Sequence, residues 1–399
     1  MPATLLPRRL GLADAILIGL GAMIGAGVFV AFAPAARAAG EWLPAALVVA
    51  AGVAYCNATS SARLAARYPQ AGGTYVYGRE RLGAFWGYLA GWGFVVGKTA
   101  SCAAMALTVG AYAWPAHARS VAMVVVVALT VLNRWGVQKA AWVNRVIVAV
   151  VLAVLALVVA VSLTRDRNPF GGAEPGSAIG VRGVLEAAGL LFFAFAGYAR
   201  ITTLGEEVRD PARTIPRAVP IALAITLAVY TLVGWALLAR LGPADLAASS
   251  APLADAVPDL AWVVRIGATL AAAGALLALI LGVSRTVLAM ARDRHLPTVL
   301  AAVHPRHGVP HQAELAVGAV VVALVAVADL RGVIGFSSFA VLTYYAIANA
   351  SAWTLGRRVV PILGLIGCVT LAVCLPIESV AAGAAVLAVG TVVYAVRRR

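Results

Sequence analysis

Long apolar runs recur along almost the whole chain, and no other feature of the sequence constrains the fold as strongly. Hydrophobic residues make up 62% of the chain and charged residues only 12%, which is too apolar for a domain with a wetted surface. A run of about 20 apolar residues crosses the hydrocarbon of a bilayer as a helix. Because lipid offers the backbone no hydrogen bonds, each segment must satisfy its own N–H and C=O groups. The sequence therefore predicts an all-α integral membrane protein.

Polar breaks divide the chain into twelve predicted transmembrane helices, of which the fourth and the eleventh are short. These helices leave no room for a separate soluble domain, so we expect residues 1–399 to form one transmembrane domain. The predicted spans are 12–37, 42–63, 83–114, 120–133, 142–163, 183–204, 217–240, 262–290, 313–329, 333–355, 358–375 and 377–396.

The positive charges fall mainly on one side of this arrangement. If the N-terminus is inside, the inner segments hold most of the 31 Lys and Arg residues. The positive-inside rule then predicts a multi-pass protein of the cytoplasmic membrane with both termini in the cytoplasm. The net charge of +15 would lie against anionic membrane lipids, so it requires no nucleic-acid partner.

The first span contains the glycine-rich stretch GAMIGAGVF at residues 21–29. Each glycine weakens a helix interior by roughly 1 kcal/mol relative to alanine, so three glycines within seven positions need an explanation. One interpretation is a helix unwound in mid-membrane, whose freed backbone groups line a polar cavity. The other is close helix packing, with Gly21 and Gly25 forming a GxxxG face and Gly27 allowing a near approach.

The sixth span offers a second candidate break in the corresponding place. Gly197 follows a dense aromatic run in mid-span, and paired interrupted spans are typical of transporters built from inverted repeats. Spans one to five (12–163) can then be overlaid on spans six to ten (183–355) with opposite orientation. Spans eleven and twelve (358–396) remain as an addition to this 5+5 inverted repeat.

Several sequence blocks resemble those of the amino acid, polyamine and organocation permeases, which share the leucine-transporter-like fold. These blocks occur in the family's order over most of the chain. They are GAMIGAGVF at 21–29, YPQAGGTY at 68–75, FFAFAGY at 192–198, EEV at 206–208 followed by DPARTIPR at 210–217, and ARDRHLP at 291–297.

The resemblance implies an amino acid site between the two broken spans. Free amides around Gly25, Ala26 and Gly27 would receive the substrate carboxylate, and carbonyls from Ala194 to Gly197 would receive its ammonium group, which agrees with the polarity of these groups. Aromatic side chains of the sixth span would form the wall and gate, although plain helix packing also explains them. The predicted substrate-binding residues are Ala22, Met23, Ile24, Gly25, Ala26, Gly27, Lys98, Phe193, Ala194, Phe195, Ala196, Gly197, Tyr198 and Tyr345.

Lys98 lies about midway along the third span, too deep for its side chain to reach either interface easily. It would exchange a proton during transport, meet the substrate carboxylate, or serve structurally by bonding to carbonyls of a broken helix. Proton-coupled relatives often carry a lysine in the fifth span, which this chain lacks, so Lys98 is the natural substitute. Glu186 and Ser284 are the other coupling candidates, although Glu186 also reads as a solvated acid at a helix start.

These features predict a secondary transporter of neutral or small amino acids that works by alternating access. The coupling would be proton symport or amino acid exchange. An exporter, an organic amine transporter, and a sensor or channel on the same scaffold remain as alternatives. The sequence shows no catalytic constellation, metal-binding spacing or cofactor motif, so we predict neither an enzyme nor a cofactor. We expect a monomer or a homodimer.

Overall fold

The computed structural model describes residues 10–25, 27–68, 72–134, 141–164, 180–202, 208–304 and 307–397. Within these ranges the regular structure is helical, and the one β-type pairing is an isolated bridge between Leu10 and Val208. The predicted all-α class is confirmed for this part of the chain.

The described residues form α-helices and short 3-10 helices. The α-helices are α1 (Leu12–Met23), α2 (Gly27–Val30), α3 (Phe32–Ala39), α4 (Leu43–Arg67), α5 (Thr74–Leu82), α6 (Ala84–Ala113), α7 (Ala118–Arg134), α8 (Ala141–Thr164), α9 (Val181–Phe195), α10 (Ala199–Thr202), α11 (Pro211–Ala248), α12 (Pro252–Asp255), α13 (Ala261–Arg292), α14 (His311–Val327), α15 (Leu330–Trp353), α16 (Val359–Cys374) and α17 (Ile377–Arg397). The 3-10 helices are Gly40–Trp42, Pro115–His117, Ala196–Tyr198, Pro258–Leu260 and Thr298–Ala301.

Ten helical segments of the described chain are long and apolar enough to cross a bilayer. Two further apolar helices, α14 and α16, have 17 and 16 residues and correspond to the predicted ninth and eleventh spans. The fourth span was expected to be short, but a 3-10 turn at Pro115–His117 extends it to the 20 residues Pro115–Arg134. The count of twelve transmembrane helices stays a prediction.

Large apolar side chains on the outside of the bundle recur at helical spacing. On α16, Ile362, Ile366, Val369 and Val373 are 40–60% exposed. Residues three and four apart share one face of a helix, so these side chains form a continuous apolar stripe. Such a stripe is a liability in water and is the expected surface of a helix that faces lipid.

The helices that carry the candidate site are the most buried of the bundle. In their most apolar windows, buried residues make up 72% of α6, 72% of the segment Val181–Thr202 and 78% of α15, compared with 17% of α17. Helix α6 packs against both α13 and α15. The third, sixth and tenth spans therefore form the interior, and α17 lies at the periphery.

Glycines allow the interior helices to approach closely. A Cβ atom placed on Gly97 of α6 would lie 2.9 Å from the Ala340 Cβ of α15. One placed on Gly110 would lie 1.9 Å from the Ala118 carbonyl oxygen at the start of α7. In contrast, a Cβ on Gly52, which is exposed on α4, meets no atom within 4 Å.

We expect Gly110→Ala to destabilise the protein and Gly52→Ala to leave it unchanged or more stable. The first substitution forces a methyl group against backbone, and overpacking of this kind costs about 1–3 kcal/mol. The second replaces an exposed helix glycine by a better helix former. Thermal unfolding of the purified variants would measure both, and equal midpoints would contradict the packing described here.

Candidate functional site

The regular α-helix of the first span ends within its glycine-rich stretch. Helix α1 ends at Met23, where the Ile24 amide donates to the Leu20 carbonyl at 2.7 Å, and α2 begins at Gly27. Gly25 is buried between them, and Ala26 lies outside the described residues. At 1.5 Å per residue, the break is about 20 Å along the helix from Leu12, near the middle of a bilayer.

The sixth span changes its helical form at a matching depth. Helix α9 ends at Phe195, residues Ala196–Tyr198 form one turn of 3-10 helix, and α10 continues from Ala199. A 3-10 turn is tighter than an α-helical turn and changes the direction of its carbonyl groups. The span is thus tightened at the predicted position, and Ala22 and Gly197 are partly exposed beside it.

The two interrupted regions are in direct backbone contact. A Cβ atom on Gly197 would lie 2.4 Å from the Ala22 carbonyl oxygen, and one on Gly27 would lie 2.7 Å from the Ala194 Cα. No side chain fits at either position without moving the neighbouring backbone. The contact at Gly27 matches the predicted close approach, whereas an unwound first helix stays a prediction.

Tyr230 of α11 connects the two regions, and sequence reasoning missed it. Its hydroxyl group lies 2.5 Å from the Met23 carbonyl oxygen and 3.2 Å from that of Ala194, so it bridges both. The ring is fully buried and packs edge-on against Phe195 at 5.1 Å. A single tyrosine inside an apolar span needs a hydrogen-bond partner, and this was the available sequence signal.

Lys98 and Tyr345 both contact the carbonyl oxygen of Ala196. The Lys98 Nζ lies 3.5 Å from it and the Tyr345 hydroxyl 3.4 Å. The Tyr345 ring is also 5.0 Å from the ring of Tyr198 and 5.8 Å from that of Phe192. The structure thus brings together four of the predicted residues, from three different spans. Of the roles predicted for Lys98, this contact matches bonding to a carbonyl of a broken helix.

The predicted aromatic wall is not uniform. Phe195 is fully buried in its contact with Tyr230, as packing alone would require. Phe193 retains 7% exposure, and Tyr198 is buried beside Tyr345. The two remaining first-span residues of the predicted site, Met23 and Ile24, are both buried.

The two other coupling candidates have partners within the protein. Glu186, near the start of α9, forms an ion pair with Arg331 of α15 at 2.7 Å, and its side chain is 19% exposed. Ser284 of α13 is buried, and its hydroxyl group donates to the Ile280 carbonyl of the same helix at 2.6 Å. Neither contact tests a coupling role, which stays a prediction for both.

Two polar side chains of the fifth span approach the first span: Arg145, which forms an ion pair with Asp14 of α1, and Asn144. The Asn144 Nδ2 lies 3.4 Å from the Leu17 carbonyl oxygen, and a Cβ on Gly21 would lie 2.7 Å from its Oδ1. A neutral amide and a paired guanidinium group of α8 therefore both lie beside α1.

A polar cluster joins α5 to the segment that follows α13. The Tyr75 hydroxyl donates to the Asp293 carboxylate and lies 3.0 Å from the His295 Nδ1, while Arg79 is 3.4 Å from Asp293. Burial and the Asp293 carboxylate raise the pKa of Tyr75, and burial lowers the pKa of His295. Both pKa shifts favour the neutral forms of Tyr75 and His295. Separately, no group of three or more metal-ligating side chains occurs in the described ranges.

We expect Tyr230→Phe to lower the free energy of unfolding by about 1–3 kcal/mol, because the single O–H that the buried Met23 and Ala194 carbonyl groups share is lost. Tyr88→Phe is the matched control, since Tyr88 is equally buried and its hydroxyl has no hydrogen-bond partner among the described residues. Thermal unfolding in the same detergent compares the two variants. Equal stability would contradict the bridging role of Tyr230.

Comparison with known proteins gives a consistent result over almost the whole chain. The amino acid permease family model matches residues 10–396. A protein of Mycobacterium tuberculosis that carries the name uncharacterized transporter is 68% identical over 404 residues, covering 98% of this chain and 92% of its own length.

More distant relatives have more specific names. Branched-chain amino acid permease BcaP of Bacillus subtilis is 28% identical over 337 residues, covering 77% of this chain and 72% of its own length. Cationic amino acid transporter 4 of Homo sapiens is 28% identical over 379 residues, covering 87% of this chain and 60% of its own length. Because the family model covers residues 10–396, this chain belongs to the amino acid permease family.

Proposed function

We propose that the protein is a secondary transporter that moves amino acids across the cytoplasmic membrane by alternating access. The observation that carries this proposal is the close backbone contact between the glycine-rich stretch of the first span and the 3-10 turn of the sixth, where Gly197 lies against Ala22 and Gly27 against Ala194. Interrupted helices at this depth expose amides and carbonyls that bind a small polar solute without a dedicated charged side chain.

The proposed site recognises both charged groups of an α-amino acid. Amides at the start of the second half of span one, around Gly25, Ala26 and Gly27, bind the carboxylate, because a helix N-terminus favours an anion. The carbonyl oxygen of Ala196 binds the ammonium group. Phe193 and Tyr345 then contact the substrate side chain.

We propose a neutral or small side chain for the substrate. Ala199 and Arg200 follow Tyr198 where many relatives have an acidic residue, so no carboxylate is available there for a cationic side chain.

The proposed architecture is the leucine-transporter-like fold with twelve transmembrane helices. Residues 12–163 and 183–355 form the two inverted repeats, residues 358–396 form the added pair, and both termini are cytoplasmic. The described helices support this arrangement, because an apolar helix occupies each of the twelve predicted spans. The protein acts in the lipid bilayer as a monomer or a homodimer.

Two coupling modes fit this site: symport with protons, through Lys98, Glu186 or Ser284, and exchange of one amino acid for another. An exporter or an organic amine transporter would use the same architecture. A sensor or a channel would keep the scaffold without slow, saturable flux. An enzyme is disfavoured because the family consists of permeases.

Uptake into proteoliposomes tests these alternatives. We expect saturable uptake of radiolabelled neutral amino acids such as L-alanine and L-leucine. Uptake driven by an imposed proton gradient would identify proton coupling, whereas uptake that requires unlabelled amino acid inside would identify exchange. Absence of flux for a full panel of amino acids would refute the proposed function.

We expect Gly27→Val to abolish this uptake without preventing membrane insertion. A β-branched side chain at this position meets the Ala194 backbone, where even a Cβ lies at 2.7 Å, and it would separate the two interrupted spans. Gly52→Val is the control, because Gly52 has open space around it. Wild-type uptake by a correctly inserted Gly27→Val variant would contradict the proposed site.

A further inference from the structure

The carbonyl oxygen proposed to bind the substrate ammonium is already occupied by a cationic side chain. We propose that protonated Lys98 is a tethered competitor of the substrate: its Nζ occupies the Ala196 carbonyl oxygen in the empty transporter, and the substrate ammonium displaces it as Lys98 releases a proton. This inference rests on the proposed function and adds a regulation to the same site.

Two side chains compete for the carbonyl oxygen of Ala196. A carbonyl oxygen has two lone pairs, and Lys98 and Tyr345 approach it from two different helices. Both distances, 3.5 and 3.4 Å, are at the long limit for hydrogen bonds. An incoming ammonium group at normal hydrogen-bonding distance would therefore replace the Lys98 contact with a stronger one.

Once this contact is lost, few other groups stabilise the positive charge of Lys98. Its side chain is buried to 8% exposure, and no ion pair among the described residues includes it. The titratable groups around it are neutral: Cys102 lies one turn along α6, Tyr345 shares the carbonyl, and Tyr198 lies against Tyr345. A buried ammonium without an acceptor is strongly disfavoured.

Deprotonation of Lys98 removes the buried charge that would otherwise have no acceptor. One N–H bond of the Lys98 ammonium breaks, the electron pair remains on Nζ, and the proton leaves to water. The neutral amine then tolerates burial beside the bound substrate. Protons and substrate therefore bind in competition, and acid on the side of substrate entry weakens binding. A symporter in which protonation of Lys98 promotes binding would show the opposite sign.

Substrate binding as a function of pH tests the competition. Binding of radiolabelled L-leucine and L-alanine to the full-length protein in lipid nanodiscs would be measured between about pH 6 and pH 9, on both sides of neutrality. We expect the wild-type dissociation constant to fall as pH rises, by up to about tenfold per pH unit for one linked proton. Calorimetry in buffers of different ionisation enthalpy should show proton release on binding to the wild-type protein.

Two substitutions of Lys98 separate its charge from its size. Lys98→Met removes the competing cation, so it should bind as tightly as the wild-type protein does at high pH, at every pH tested. Lys98→Arg keeps a cation that does not lose its proton, so its binding should remain weak throughout the range. Both variants should lose the pH dependence.

The possible failures are distinguishable. If neither amino acid binds to the wild-type protein, both the proposed function and the competition are wrong. If binding occurs but is independent of pH, or releases no proton, only the competition is wrong. Weaker binding by Lys98→Met at every pH would show that Lys98 assists the substrate, which also overturns the competition.

Discussion

The need to satisfy backbone hydrogen-bonding groups inside a membrane determines the arrangement of the interior. Where a helix is interrupted in lipid, nearby groups must replace the lost partners. Here the replacements come from other spans: Tyr230 bridges the Met23 and Ala194 carbonyls, and Lys98 and Tyr345 meet that of Ala196. The polar side chains of the bundle interior are thus explained by the positions of the interruptions.

Local pattern was enough to predict helices in the apolar runs, but not the side chains that contact the glycine-rich stretch of the first span and the 3-10 turn of the sixth. The apolar runs correspond to helices, and the stretches around Gly25 and Gly197 mark the end of α1 and the 3-10 turn. The contacts of Tyr230 and Asn144 were not predicted, because they join spans that are far apart in sequence. A single sequence carries no record of those contacts.

Two charged residues that the sequence suggests as coupling candidates, Lys98 and Glu186, have different surroundings. Glu186 is neutralised by Arg331 from another span, a pairing that no local pattern around either residue indicates. Lys98 contacts a carbonyl oxygen, which stabilises its charge only while that oxygen remains available. Depth in the membrane alone therefore does not predict the surroundings of a charge, because one of these groups is paired with an opposite charge and the other only with a backbone carbonyl.

The backbone contact between the interrupted spans also limits how substrate preference can evolve. Gly27 and Gly197 have no room for a side chain, so a substitution at either position must move the backbone of the other span. In the proposed site, the groups for the constant part of an amino acid are thereby fixed. Substrate preference can then change only through side chains such as Phe193 and Tyr345.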